Sequence, residues 1–198
     1  MRRVTLFDYG AGNLHSLAKA IATVVGADVR VQTDPVKALD TDVLVLPGVG
    51  AFGAAAARME PGRQKMRQAL ENGLPCLGIC LGMQLLFEGS DEGEGQGLGV
   101  FKGRVTRLRA RHVPHIGWNS VDEDAAVQGT KLDTVYYAHS FVCRAEEPEV
   151  VVGWTTHEED RFPASVRRGK VLGVQFHPEK SSTAGVAFVQ AFLKEVAP

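Results

Sequence analysis

Two short runs in this 198-residue chain carry side chains whose types and spacing could do covalent chemistry: Gly78-Ile79-Cys80-Leu81-Gly82 and His177-Pro178-Glu179. In the order Cys…His…Glu they supply a nucleophile, a base and an orienting carboxylate, the set that covalent acyl transfer requires. The apolar residues before Cys80 read as a buried strand, and Leu81-Gly82-Met83-Gln84-Leu85-Leu86-Phe87 has helical spacing. Cys80 therefore falls on a strand-to-helix turn with glycine at i−2 and i+2, a nucleophile elbow with sulfur in place of oxygen. Glycines without Cβ atoms let such a turn be tight and leave the sulfur exposed. The helix that starts at Leu81 offers unpaired N–H groups and a positive dipole end, which favour a thiolate and let the Leu81 N–H face a developing oxyanion. Cys76 and Cys143 lack such flanks and read as buried, inert thiols.

The partner run closes a strand read over residues 171–176. Pro178 holds His177 extended, and in an extended chain residues two apart share a side, so the Glu179 carboxylate reaches the imidazole. His177 is then the base and Glu179 the group that sets its tautomer. A third strand, Asp42-Val43-Leu44-Val45-Leu46, runs into Pro47-Gly48-Val49-Gly50. Backbone N–H groups beside glycines can enter a cleft unobstructed, as a second oxyanion donor requires, although a plain loop after a strand has the same pattern.

These three runs, in this order, resemble those of the class I (triad) glutamine amidotransferases, with a P-G-x-G segment, a G-[IV]-C-x-G-x-Q elbow and a terminal H-P-E. The likeness spans almost the whole chain. Within that class, Phe7-Asp8-Tyr9-Gly10-Ala11-Gly12-Asn13-Leu14, Pro114-His115-Ile116-Gly117-Trp118-Asn119 and Lys180-Ser181 are similar to the branch that serves as glutaminase subunits of imidazole glycerol phosphate synthases. The resemblance implies hydrolysis of L-glutamine by Cys80, His177 and Glu179. It implies substrate and oxyanion contacts at Gly48, Val49, Gly50, Leu81, Gln84, Ser140 and Phe141. It also implies a (β/α)8-barrel cyclase partner that receives the ammonia and makes imidazole glycerol phosphate and aminoimidazole carboxamide ribotide for histidine synthesis. Neither metal nor cofactor is implied. Asn13, Trp118 and Lys180 are placed at the partner surface. Other branches of the class, serving pyridoxal-phosphate or anthranilate synthesis, and a stand-alone cysteine hydrolase are the alternatives.

The elements that must position these residues follow from periodicity. Strands are read over 4–8, 28–32, 43–46 and 76–79, with helices over 13–25, 55–72 and 81–88. This alternation predicts an α/β fold with a mostly parallel central sheet and helices on both faces. Residues 89–99, glycine-rich and acidic, read as a mobile surface loop. Residues 100–174 read as short strands, antiparallel additions to the sheet, and 184–196 as a closing amphipathic helix. No linker divides the chain, so residues 1–198 are read as one domain. Gly10-Ala11-Gly12 lacks the third glycine of a dinucleotide fingerprint.

Composition limits the remaining functions. With 44% hydrophobic and 23% charged residues the chain reads as soluble and globular, and a net charge of −1 gives no support to nucleic-acid binding. Three cysteines are too few for a disulfide framework and suit a reducing cytoplasm. No apolar run is long enough for a membrane span, and no signal peptide precedes the first strand. Arg104, Arg107, Arg109 and Arg111 read as a solvated face or part of a protein interface. His15, His112, His115, His139 and His157 lack metal-ligand spacing and read as structural or interfacial. Trp118 and Trp154 read as packing anchors, with Trp118 also a candidate for the partner's border.

Overall fold

The structure is a computed structural model that describes residues 2–10, 14–23, 27–122 and 126–196. The first half gives β1 (Arg2–Phe7), α1 (His15–Ala22), β2 (Ala27–Gln32), β3 (Val43–Leu46), α2 (Phe52–Met59), α3 (Arg63–Glu71), β4 (Cys76–Ile79) and α4 (Leu81–Leu85). The second half adds β5 (Gly89–Ser90), β6 (Gly103–Arg107), β7 (His115–Ser120), β8 (Thr134–His139), β9 (Phe141–Ala145), β10 (Val151–His157), β11 (Asp160–Arg168), β12 (Val171–Val174) and α5 (Ser182–Glu195). Among the described residues no helix is long and apolar enough to cross a membrane.

The main sheet has seven strands in the order β10-β11-β12-β4-β3-β1-β2. From β12 to β2 the pairs are parallel, while β11 and β10 complete the sheet antiparallel. The residues of the central strands β3, β4 and β12 are all apolar or glycine and buried because both faces are covered. Val4, Leu6, Val43, Val45, Leu77, Ile79, Leu172 and Val174 pack with Leu17 and Ile21 of α1 and Phe188 and Phe192 of α5. Their neighbours Phe7, Leu44, Leu46, Cys76 and Val171 point the other way, to Phe52, Ala55 and Met59 of α2, Met66 and Leu70 of α3 and Met83 of α4. The period of two thus divides each strand between two cores.

The helix read over 55–72 is two helices joined by the turn Glu60–Gly62. Pro61 starts the turn, and a Cβ on Gly62 would stand 2.8 Å from Pro35 Cβ. The helix after Cys80 stops at Leu85 rather than continuing to 88, and β12 leaves its ladder at Val174 rather than at 176. Residues 89–99 form a surface loop with residues 91, 92 and 94–96 exposed, and its two ends are packed down. Gly89–Ser90 pairs with β6, Leu98 is buried, and a Cβ on Gly97 would meet the Phe87 carbonyl at 2.0 Å. Of the short strands read after residue 100, only β10, β11 and β12 join the main sheet. The others form a three-stranded sheet, β5-β6-β9, and a separate β7-β8 pair.

Candidate active site

β12, β4 and β3 are neighbours and run parallel, so their carboxyl ends deliver His177, Cys80 and Pro47-Gly48-Val49-Gly50 to one edge of the sheet. Such an edge is where open α/β sheets bind ligands. Cys80 has φ 46° and ψ −103°, a left-handed backbone that costs of order 1–3 kcal/mol outside glycine. The conformation is held by its N–H donating to the Val174 carbonyl at 2.7 Å and by its own carbonyl accepting from Gln84 N at 3.1 Å. The flanking glycines are required by space. A Cβ on Gly82 would lie 1.9 Å from the Leu46 carbonyl oxygen, and one on Gly78 would lie 2.7 Å from the Gly82 oxygen.

His177 is buried, and its N–H donates to the Tyr136 carbonyl at 2.9 Å. Ser181 Oγ donates to the His177 carbonyl at 2.7 Å and accepts from Tyr136 N at 2.9 Å, so the turn that carries the base is sewn to β8. The imidazole Nδ1 lies 2.8 Å from Glu179 Oε1. A carboxylate there fixes the Nδ1–H tautomer and leaves Nε2 for the sulfur. Burial works against charge on His177, but hydrogen bonds from its ring to Cys80 and Glu179 prevail and raise its pKa to about 10. An imidazolium beside a cysteine favours the thiolate needed for attack.

Gly48 packs against both groups, since a Cβ on it would stand 2.9 Å from Cys80 Cβ and 3.0 Å from His177 Cε1. Gly50 has φ +107°. A cavity of about 410 Å³ opens beside the sulfur, and its wall includes Gly48, Gly50, Cys80, Leu81, Gln84, Ser140 and Phe141. Val49, named with them from the sequence, is half-buried and does not line the cavity, because the turn directs only its two glycines there.

The wall also holds Glu92, Arg107, Pro114, Ile116, Ala138 and His139, whose place there sequence patterns did not reveal. The Glu92 carboxylate accepts from Phe52 N at 3.0 Å and so lies at the start of α2, beside the Gly50 turn. The sequence puts Glu92 in a surface loop and Arg107 on a solvated or interfacial stripe; both are exposed and also border the cavity. Their opposite charges suit the two ends of a free amino acid. The stripe itself divides: Arg104 pairs with Asp91 at 2.6 Å, while Arg107 turns to the cavity. Among the described residues no cluster of His, Cys, Asp and Glu is arranged to hold a metal ion.

His139 of this wall forms a buried pair with His115. His139 Nδ1 faces the Phe141 carbonyl at 3.1 Å, which can only accept, so this nitrogen carries the hydrogen. His139 Nε2 must then accept from His115 Nδ1 at 3.2 Å, and His115 Nε2 is left to accept from Asn119 Nδ2 at 3.4 Å. Both rings are therefore neutral with fixed tautomers. Burial, reinforced by neighbouring histidines, lowers His115 to about 4 and His139 to about 3. Unfolded histidine takes a proton near pH 6.5. Below that pH the unfolded chain binds protons that the folded pair refuses, so the pair's stability is present above about 6.5 and is lost as pH falls toward 4. His177, with its raised pKa, is charged in both states in this acid window and loses its own contribution only from about 6.5 up to 10. The urea midpoint should fall between pH 6.5 and 5, and a His115→Asn, His139→Gln double variant should flatten the decline. An equal slope in wild type and double variant would refute the assignment.

Among the residues placed at a partner surface, Asn13 lies outside the described residues. Trp118 is not a packing anchor. It is 54% exposed on β7, with its ring edge-on to Tyr136, because among the described residues no layer covers that face of the β7-β8 pair. Ile116, 63% exposed, shares that face, and exposed Lys180 reaches over the Tyr136 ring at 5.8 Å. Trp154 is partly buried, with the Arg161 guanidinium 4.7 Å above its ring.

A Cys-His-Glu constellation at the carboxyl edge of a mostly parallel sheet, beside a cavity with an acid and a base in its wall, has the parts of a cysteine-dependent amide-hydrolysing enzyme. Residues 5–196 match the family glutamine amidotransferase class-I. Imidazole glycerol phosphate synthase subunit HisH from Pyrococcus furiosus is 40% identical over 197 residues, covering 97% of this chain and 98% of that protein. The HisH subunit from Aquifex aeolicus is 43% identical over 201 residues, covering 98% and 97%. Among solved structures, one titled as a glutamine amidotransferase superposes with a TM-score of 0.76 at 20% identity over 98% of each chain, a likeness of fold. This chain belongs to the class I glutamine amidotransferases and, within them, to the HisH family.

Proposed function

We propose that this chain is the glutaminase subunit of an imidazole glycerol phosphate synthase, releasing ammonia from L-glutamine for histidine biosynthesis. The observation that carries the catalytic reading is the buried His177 imidazole, held at Nδ1 by Glu179 and packed with Cys80 against Gly48, with Cys80 in the cavity wall. The Cys80 thiolate attacks the side-chain amide carbon of glutamine, and the tetrahedral oxyanion is met by backbone N–H groups of Leu81 and the Gly48–Gly50 turn. His177 gives its proton to the departing nitrogen as the C–N bond breaks, which leaves a glutamyl thioester and ammonia. The neutral imidazole then takes a proton from water, whose oxygen displaces the sulfur and yields glutamate. Glu92 and Arg107 are the groups we assign to the α-ammonium and α-carboxylate of the substrate. No step calls for a metal or cofactor.

The partner in this proposal is a (β/α)8-barrel cyclase subunit in a cytoplasmic heterodimer. It meets the face that carries Trp118, Ile116 and Lys180, and residues 1–198 act as one domain. Ammonia released with no acceptor is wasted, so hydrolysis should wait for the loaded partner. The turn at Gly48 to Gly50 suits a switch, because rotation of one peptide there moves an N–H into or out of the cavity with little steric cost. One oxyanion donor is worth about 2.7–4 kcal/mol, or about 10²–10³ in rate. Addition of a barrel subunit and its acceptor nucleotide should therefore raise kcat for glutamine by about that factor while changing KM far less. Equal kcat for the free chain, the complex and the loaded complex would refute the switch. Absence of any glutamine hydrolysis in all three would refute the function.

A further inference from the structure

Gln175 is fully buried, follows β12 and has no place in the mechanism above. Its carboxamide lies between two groups of the site: Nε2 is 3.5 Å from Cys80 Sγ, and Oε1 is 3.4 Å from Gln84 Nε2. The orientation of both amides follows from their neighbours. The Phe141 carbonyl can only accept, so the Gln84 group 3.0 Å from it is the NH2 end. That same NH2 faces Gln175, which must answer with its oxygen, and the Gln175 NH2 is then the end that meets the sulfur. A buried amide is costly unless both ends are satisfied, and here each end finds its partner within the site.

We propose that Gln175 is a positioning residue for the nucleophile: it donates a hydrogen bond to the Cys80 thiolate and, through its oxygen, holds Gln84 in the cavity wall. The inference rests on the reading of Cys80 as nucleophile. A donor stabilises the anion over the thiol and limits the sulfur's rotation between His177 and the cavity. The second contact ties the sulfur to the substrate wall through one side chain. Gln84 is held on its other side by the Phe141 carbonyl, to which His139 also donates.

Gln175→Met keeps the length of the side chain and removes the N–H donor. The pH midpoint for alkylation of Cys80 by iodoacetamide should rise by about one unit, with His177 still in place. The value of kcat/KM for glutamine should fall by about 10- to 100-fold, with changes in both kcat and KM. Alkylation reports on the sulfur without glutamine, so it separates this proposal from the glutaminase reading. A second measurement uses the unaltered chain: the Gln175 side-chain amide resonance should move when Cys80 ionises, and the movement should be absent in Cys80→Ala. A folded Gln175→Met protein with the wild-type alkylation profile and activity within threefold would overturn the proposal. So would a Gln175 amide resonance indifferent to the state of Cys80.

Discussion

Glutamine hydrolysis is expected to vanish in Cys80→Ala while the fold survives. Alanine keeps the Cβ that packs beside Gly48 and meets the same strain at φ 46°, so the strand end and α4 should hold. What disappears is the covalent path. In triad enzymes, loss of the nucleophile costs roughly 10⁴–10⁶ in rate, with the oxyanion donors and substrate binding accounting for the remainder. In the proposed complex, the variant should still support synthesis from an ammonium salt, because the synthase reaction is assigned to the barrel subunit. The measurement is glutamate release by the purified variant beside ammonia-dependent synthesis by the complex. Glutaminase activity within tenfold of wild type would end the assignment of Cys80.

His177→Ala should be nearly as inactive as Cys80→Ala, and Glu179→Gln should retain about 10- to 100-fold more activity than His177→Ala. The imidazole handles the proton at both chemical steps, whereas Glu179 orients it and stabilises its charge. A glutamine at 179 can still accept from His177 Nδ1 through its oxygen if its NH2 takes the place of Oε2, which is buried with no hydrogen-bond partner among the described residues. It no longer offsets the imidazolium charge, so the histidine pKa should drop and the alkaline limb of the kcat profile should move down with it. Steady-state kinetics of the three variants across pH would decide the order. Equal loss in Glu179→Gln and Cys80→Ala would give Glu179 a more direct part than orientation.

The apolar runs at residues 43–46 and 76–79 were legible as strands because both faces are buried, which removes polar alternation from the sequence. The elbow was legible because Gly78 and Gly82 answer to backbone contacts that no side chain could share. Strand order was not legible: nothing local says that β12 enters between β4 and β11. Gln175, Glu92, Arg107 and the His115–His139 pair escaped for the same reason. Each is defined by partners distant in sequence, and a glutamine after a strand or an acidic residue among glycines carries no mark of its later neighbours. Of the two readings of Trp118, packing anchor and partner border, the first fails because the residue is 54% exposed among the described residues, and large aromatic residues more often seek a core.

The position of β12 also bears on when the chain can act during its manufacture. A ribosome delivers Cys80 and its glycine turn while the strand that precedes His177 has yet to be made. That strand pairs with β4 only after the second half of the chain has folded back, and closing so long a loop is slow and entropically costly. The histidine therefore arrives after the cysteine, together with the Val174 carbonyl that holds the Cys80 backbone in its turn. A chain stopped before β12 has the cysteine without its base and should not hydrolyse glutamine.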